Sequence, residues 1–138
     1  MALPGGRRDP QDHDLLDTAL RETMEEVGIS ISRDSLIGAL PDVVPRTPVL
    51  PPIAVRPFLL TVPARPTLIL NPEVATAAWV SLEDLLRPAA HQLVNVEVQG
   101  HNRTVWGYLL QAGVVWGMTD RILTALIEHL NSVCHEES

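Results

Sequence analysis

Apolar residues recur at three- and four-residue spacing near each end of the chain, while the middle carries short β-branched and aliphatic runs. That pattern predicts a helix early, strands between, and a helix late. Leu16, Ala19, Leu20, Thr23, Met24 and Val27 fall on one helical face, Asp12 and Asp14 are candidate caps, and Gly28 is a natural terminator. Leu3-Pro4-Gly5-Gly6 cannot continue any regular element, and Asp9-Pro10 extends that loop up to the capping residues. Late in the chain, Thr119 or Asp120 opens a second amphipathic helix carrying Ile122, Leu123, Leu126, Ile127 and Leu130.

Between Ser35 and Pro63, Leu36-Ile37-Gly38-Ala39-Leu40 and Ile53-Ala54-Val55 read as two strands. Prolines at 41, 45, 48, 51, 52 and 57 punctuate this stretch, so the strands are short or irregular and joined by a proline-rich loop. Ala77-Ala78-Trp79-Val80 reads as a short buried strand, with Ser81 capping a helical turn through Leu86. Segments 92–98 and 103–110, separated by Gly100, form a predicted hairpin.

At 138 residues and 46% hydrophobic composition, the chain is expected to build one domain over residues 1–132, with 133–138 as a flexible tail. The single cysteine, Cys134, leaves no intrachain disulfide, and a reducing cytoplasm is the expected setting. No early basic segment leads into an apolar stretch with a cleavage site, and runs such as Ala112 to Met118 are too short to cross a bilayer, so no membrane association is expected. The formal charge of −7 argues against nucleic-acid polymers, whose binders neutralise phosphates with basic residues. A small anionic substrate fits if a cation supplies the missing positive charge.

Glu22, Glu25 and Glu26 stand at i, i+3 and i+4, on the side of the helix opposite its apolar stripe. Like charges at that spacing repel by a few tenths of a kcal/mol, and carboxylates in a last turn oppose the helix dipole by roughly 0.3–1 kcal/mol each. A hard divalent cation such as Mg²⁺ would offset that cost, because it takes carboxylate oxygens together with water and phosphate. A solvated acidic face, partly compensated by Arg21 pairing with Glu25, is the ordinary alternative for acids on a helix.

The run from Leu3 to Ile29, with Leu-Pro-Gly-Gly followed by Arg21-Glu22-Thr23-Met24-Glu25-Glu26-Val27-Gly28-Ile29, resembles the Nudix box. The resemblance implies an α/β (α+β) fold, an α/β/α sandwich with a mixed sheet, and metal-dependent hydrolysis of nucleoside diphosphates linked to another group. By position, it implies Mg²⁺ or Mn²⁺ held by Glu22, Glu25 and Glu26 with the Gly6 carbonyl as a further ligand, and Arg21 orienting the glutamates. The sequence departs from the family where a glutamate stands eight residues before the arginine. His13 is there, the loop is one residue longer, and Asp12 or Asp14 is the candidate replacement, with a supporting role given to Asp14. Thr23 takes the place of a large apolar residue.

Arg8-Asp9-Pro10 and Thr18-Ala19-Leu20-Arg21-Glu22-Thr23 are similar to the Nudix subgroup that acts on coenzyme A. Asn71-Pro72-Glu73-Val74 leading to Trp79-Val80, and Val115-Trp116-Gly117-Met118-Thr119 opening the last helix, agree with it more loosely. Glu73 is then a candidate metal ligand or general base, sharing the second role with Glu22, or else a surface acid. Trp116 and Trp106 are candidate substrate-binding residues, and either could equally belong to the core; His101 and His135 read as surface residues. The expected substrate is coenzyme A or an acyl derivative, then ADP-ribose or another nucleoside diphosphate derivative. A non-catalytic Nudix-fold module that binds nucleotides or a protein is the competing class. The resemblance places strands ahead of the glycine loop that are not found before Leu3, and a sheet edge left open in that way predicts a homodimer.

Overall fold

The computed structural model describes residues 1–46 and 52–136. Pro48 and Pro51 of the predicted loop and residues 137–138 of the predicted tail lie outside the described residues, as do the side chains of Cys134 and His135. The elements follow the order α1 (Leu15–Val27), a 3₁₀ turn (Arg33–Ser35), β1 (Leu36–Ala39), β2 (Phe58–Leu60), α2 (Leu82–Leu86), β3 (His91–Val98), β4 (His101–Leu110), β5 (Gly113–Trp116) and α3 (Met118–Glu136). They fall into two compact units: Leu3–Asp42 with Arg56–Trp79, and Met1–Ala2 with Val43–Val55 and Val80–Ser138.

The first unit is organised by α1. Its N-cap is Asp14, whose carboxylate accepts from the Asp17 amide at 2.9 Å. The helix ends at Gly28, which adopts φ 75° and returns its N–H to the Met24 carbonyl. A side chain there would be strained, and its Cβ would stand 2.8 Å from Ile69 Cβ. Ile69 and Asn71 donate their amides to the Val27 and Glu26 carbonyls, which tethers residues 69–71 along the end of the helix. β1 pairs antiparallel with β2, with an irregularity between Leu36 and Gly38.

The predicted strand at Ile53-Ala54-Val55 is replaced by a single bridge between Val43 and Val55. The strand that does pair begins at Phe58, immediately after Pro57, because proline has no N–H to contribute to a ladder. The predicted strand at Ala77–Val80 also does not form: no ladder partner reaches it among the described residues, and Trp79 is part-exposed, its indole N–H donating to the Pro66 carbonyl at 3.3 Å.

In the second unit the hairpin of β3 and β4 runs in unbroken register from His91↔Tyr108 to Val98↔His101. Gln99 (φ 52°) and Gly100 (φ 78°) make its turn, the left-handed pair that matches strand twist. A third strand, β5, pairs antiparallel with β4 where the sequence reading placed only the approach to the last helix. Gly113-Val114-Val115-Trp116 is an apolar run whose strand and helix-segment readings have the same pattern. All ladders among the described residues are antiparallel, in two sheets, so the expected mixed sheet is not assembled as one ladder there. α3 packs on β5, with Leu85, Ala90, Tyr108, Val115 and Leu123 as the shared core. It runs to Glu136, into the segment 133–138 expected as a flexible tail. No helix among the described residues is long and apolar enough to cross a membrane.

Candidate active site

The polar face of α1 is built around Asp12 and Arg21. Asp12 is buried, and its carboxylate accepts from the Asp9 amide at 2.8 Å, the Thr18 hydroxyl at 2.9 Å, and both Nε and Nη2 of Arg21 at 2.9 Å. This is the two-pronged geometry in which a guanidinium holds a carboxylate most firmly. The Arg21 hydrogen bonds, backed by the Asp9 amide, hold Asp12 well below the usual carboxylate range, and Asp12 in turn raises the Arg21 guanidinium above its ordinary value.

The remaining Arg21 donors face the loop and the glutamates. Nη2 reaches the Arg7 carbonyl at 3.3 Å, and Nη1 reaches Glu22 Oε1 at 3.1 Å and Glu25 Oε2 at 3.3 Å. One side chain therefore fixes the glycine loop and two of the three acids together.

Gly6 lies against the Glu22 carboxylate so closely that a Cβ at Gly6 would stand 2.5 Å from Glu22 Oε1 and Cδ. Burial pushes the Glu26 carboxyl above its ordinary value, the Gly5 backbone amide opposes the rise, and neighbouring Glu22 and Glu25 add to it. Glu22 and Glu26 are thus half-buried neighbours of like charge beside the Gly5-Gly6 backbone, whereas Glu25 is 54% exposed and engaged by Arg21. Among the described residues, no three carboxylate, imidazole or thiol groups converge closely enough to enclose a metal ion. The chemistry of these groups nevertheless fits a hard divalent cation, because two carboxylates of like charge are crowded together beside a backbone that leaves no room for a side chain.

The other predicted residues lie elsewhere. Glu73 is exposed in a turn in which Asn71 Oδ1 accepts its backbone amide at 2.9 Å, and that turn follows the segment tethered to the end of α1. Trp116 sits across from Gly107, so it shares a face of its sheet with Gly107, and Trp106, the preceding residue of β4, points to the opposite face. The two indoles cannot line one side of a bound ring. Trp106 is 58% exposed and Trp116 36%, so neither is enclosed in the core.

Asp14 does not support the acidic face. It caps α1 and is held by Arg33, whose guanidinium also reaches Asp17, and this lowers Asp14 to about 2. His13 is exposed and contributes its carbonyl to Arg8. Asp12 instead meets Arg21, nine positions away, and the Thr18 hydroxyl donates to the same carboxylate. An acid nine residues ahead of the arginine was the signal available in the sequence for this hub.

A glycine loop feeding a helix whose arginine orients a set of glutamates is the framework of an enzyme domain of the Nudix type, an α/β/α sandwich fold. The chain belongs to that family: the model of the NUDIX domain matches residues 1–98, which include the whole loop and α1. It is similar to the uncharacterized Nudix hydrolase NudL of Yersinia enterocolitica, with 32% identity over 132 residues, covering 95% of this chain and 66% of the relative. The protein of the same name from Photorhabdus laumondii is 31% identical over 131 residues, covering 94% and 68%. That from an Enterobacter species is 34% identical over 128 residues, covering 91% and 64%. The chain spans about two thirds of the length of these relatives.

Proposed function

We propose that this chain carries out metal-dependent hydrolysis of a diphosphate linkage in a nucleotide derivative, with coenzyme A or an acyl derivative as the first substrate and ADP-ribose or another nucleoside diphosphate derivative as the second. The observation that carries the reading is the Arg21 hub, which ties Asp12, the Arg7 carbonyl, Glu22 and Glu25 into one arrangement with Glu22 seated against Gly6. Glu22, Glu25, Glu26 and the Gly6 carbonyl would hold Mg²⁺ or Mn²⁺. When bound, the ion supplies positive charge to the diphosphate and lowers the pKa of an attacking water.

The chain's own residues do the positioning. Arg21 is fully committed to the hub, so it orients Glu22 and Glu25 and does not reach for substrate. The proton of the attacking water goes to Glu22 or to Glu73. Preference for coenzyme A rests on the similarity of Arg8-Asp9-Pro10 and Thr18-Ala19-Leu20-Arg21-Glu22-Thr23 to that subgroup. A cytoplasmic setting and a homodimer complete the reading.

The test is a hydrolysis screen over coenzyme A, acyl-coenzyme A, ADP-ribose and dinucleoside polyphosphates. Products are separated by chromatography, so that release of the nucleotide product from the diphosphate is read directly, and the screen is run with Mg²⁺, with Mn²⁺ and with neither. Release from coenzyme A derivatives only, dependent on the ion, is the expected result. Binding of these compounds with no release under any condition would instead assign the chain to the non-catalytic modules of its family.

A further inference from the structure

A second polar cluster lies in the unit that holds the three-stranded sheet. Asp120, in the first turn of α3, is buried, and both its oxygens stand 3.1 Å from His91 Nε2 at the start of β3. Thr124, one turn further along α3, donates to Asp120 Oδ1 at 3.0 Å, and the Tyr108 hydroxyl lies 2.9 Å from Thr124 Oγ1. In the neutral ring, contact with the carboxylate places the imidazole proton on Nε2, and Nδ1 presents a lone pair. Among the described residues nothing donates to that nitrogen, and the His91 side chain is 38% exposed. The ring is fixed between Tyr108, centroids 4.6 Å apart, and Trp106, stacked at 5.5 Å with 23° between planes. Trp106 and its cross-strand partner Leu93 are left open on the same face of the hairpin.

A clamp between β3 and α3 accounts for the contact of His91 with Asp120. It does not account for a large indole exposed beside a histidine whose second nitrogen is held as an acceptor. A flat apolar surface with an acceptor at its edge matches a flat ring that carries an N–H donor at its own edge. We propose that Trp106, His91 and Asp120 form a binding site for a nucleobase bearing an exocyclic amino group, with the ring stacked on Trp106 and the amine donating to His91 Nδ1. Asp120 is a positioning residue that holds the imidazole in the accepting tautomer. The choice of a nucleobase rests on the nucleotide reading above, but binding here needs neither metal nor turnover.

The experiment is isothermal calorimetry on the full chain without metal, comparing adenosine with purine riboside, which has the same sugar and ring without the amine. Adenosine is expected to bind about five- to tenfold more tightly, the worth of one hydrogen bond. In Trp106→Ala, whose exposed site leaves the core intact, adenosine binding should weaken at least about tenfold. In His91→Ala the two nucleosides should bind equally. Equal affinities in the parent, unchanged adenosine affinity in Trp106→Ala, or no adenosine binding at all would overturn the site. Hydrolysis of a diphosphate by a chain that does not bind adenosine would overturn this inference and leave the proposed activity standing, and the reverse pair of results would do the opposite.

Discussion

Replacing Gly6 by alanine separates the position of the Glu22 carboxylate from every other property of the site. The new Cβ would lie 2.5 Å from Glu22 Cδ and Oε1 and 3.0 Å from its Cγ. Ordinary contact between such atoms is about 3.5 Å, so the carboxylate must withdraw by about 1 Å. Gly6 is not among the residues with positive φ, so alanine brings no backbone strain, and the far end of a long side chain yields first. Forcing Glu22 off its preferred rotamer costs about 0.5–1.5 kcal/mol, which for a chain of this size lowers Tm by roughly 2–8 °C. A positioned group displaced by about 1 Å loses on the order of 100-fold in rate, or about 2.7 kcal/mol of transition-state stabilisation. The assay is kcat at saturating Mg²⁺ on the substrate found in the screen, beside thermal melts. Gly5→Ala is the control, since a Cβ there meets nothing within 4 Å. A Gly6→Ala kcat within about threefold of the parent would refute the reasoning, because it would mean that the seat of Glu22 does not matter to the reaction.

Glu26→Gln removes a charge that burial already disfavours beside Glu22 and Glu25, so metal-free stability should rise by roughly 0.3–1 kcal/mol while the Mg²⁺-dependent gain in Tm shrinks; equal Mg²⁺ responses in the two proteins would return Glu26 to a surface role. Asp12→Ala strips Arg21 of its principal partner, so Tm and kcat should fall together, whereas a fall in Tm alone would confine Asp12 to folding. Asp14 has a carboxyl lowered to about 2, so its pairing with Arg33 contributes stability above the ordinary carboxylate value of 3.8 and loses it as pH falls towards 2. Asp14→Asn, which retains the cap but not the charge, should melt with a shallower dependence on pH in that window, and an unchanged slope would show that the Arg33 pair adds nothing.

What the sequence made legible follows from how local each signal is. α1 has a cap and a terminating glycine inside one short window, and both act where they stand, whereas Met24 of the predicted apolar face is 51% exposed and Thr18 is buried in its place. The β3–β4 hairpin was equally plain, because its turn and alternation are carried by neighbouring residues. β5 was not, since Gly113–Trp116 becomes a strand only by pairing with β4, and nothing in its composition separates it from the start of a buried helix. The segment at Ala77–Val80 shows the opposite failure, an apolar run with no ladder to join. In the candidate site, the placing of Glu22, Glu25 and Glu26 on one helix face needed only spacing. Asp12 required knowing how a longer loop folds back, and the opposite facing of Trp106 and Trp116 required the register of β4 against β5.

The convergence of bonds on Asp12 has a consequence for how this region responds to change. Asp9 and Asp12 belong to the loop, Thr18 and Arg21 to the helix, and Arg21 also holds the Arg7 carbonyl, so loop and helix share one hydrogen-bond network. The loop cannot open while α1 keeps its polar face intact, and neither can be weakened alone. Energies in such a network are not separable by residue. Loss of Asp12, of Thr18 or of Arg21 should each release the same cooperative unit, so a double substitution costs little more than the more severe single one. The glycine loop and the acidic helix therefore behave under mutation as a single element of structure, although the chain between Asp9 and Arg21 passes from turn to cap to helix.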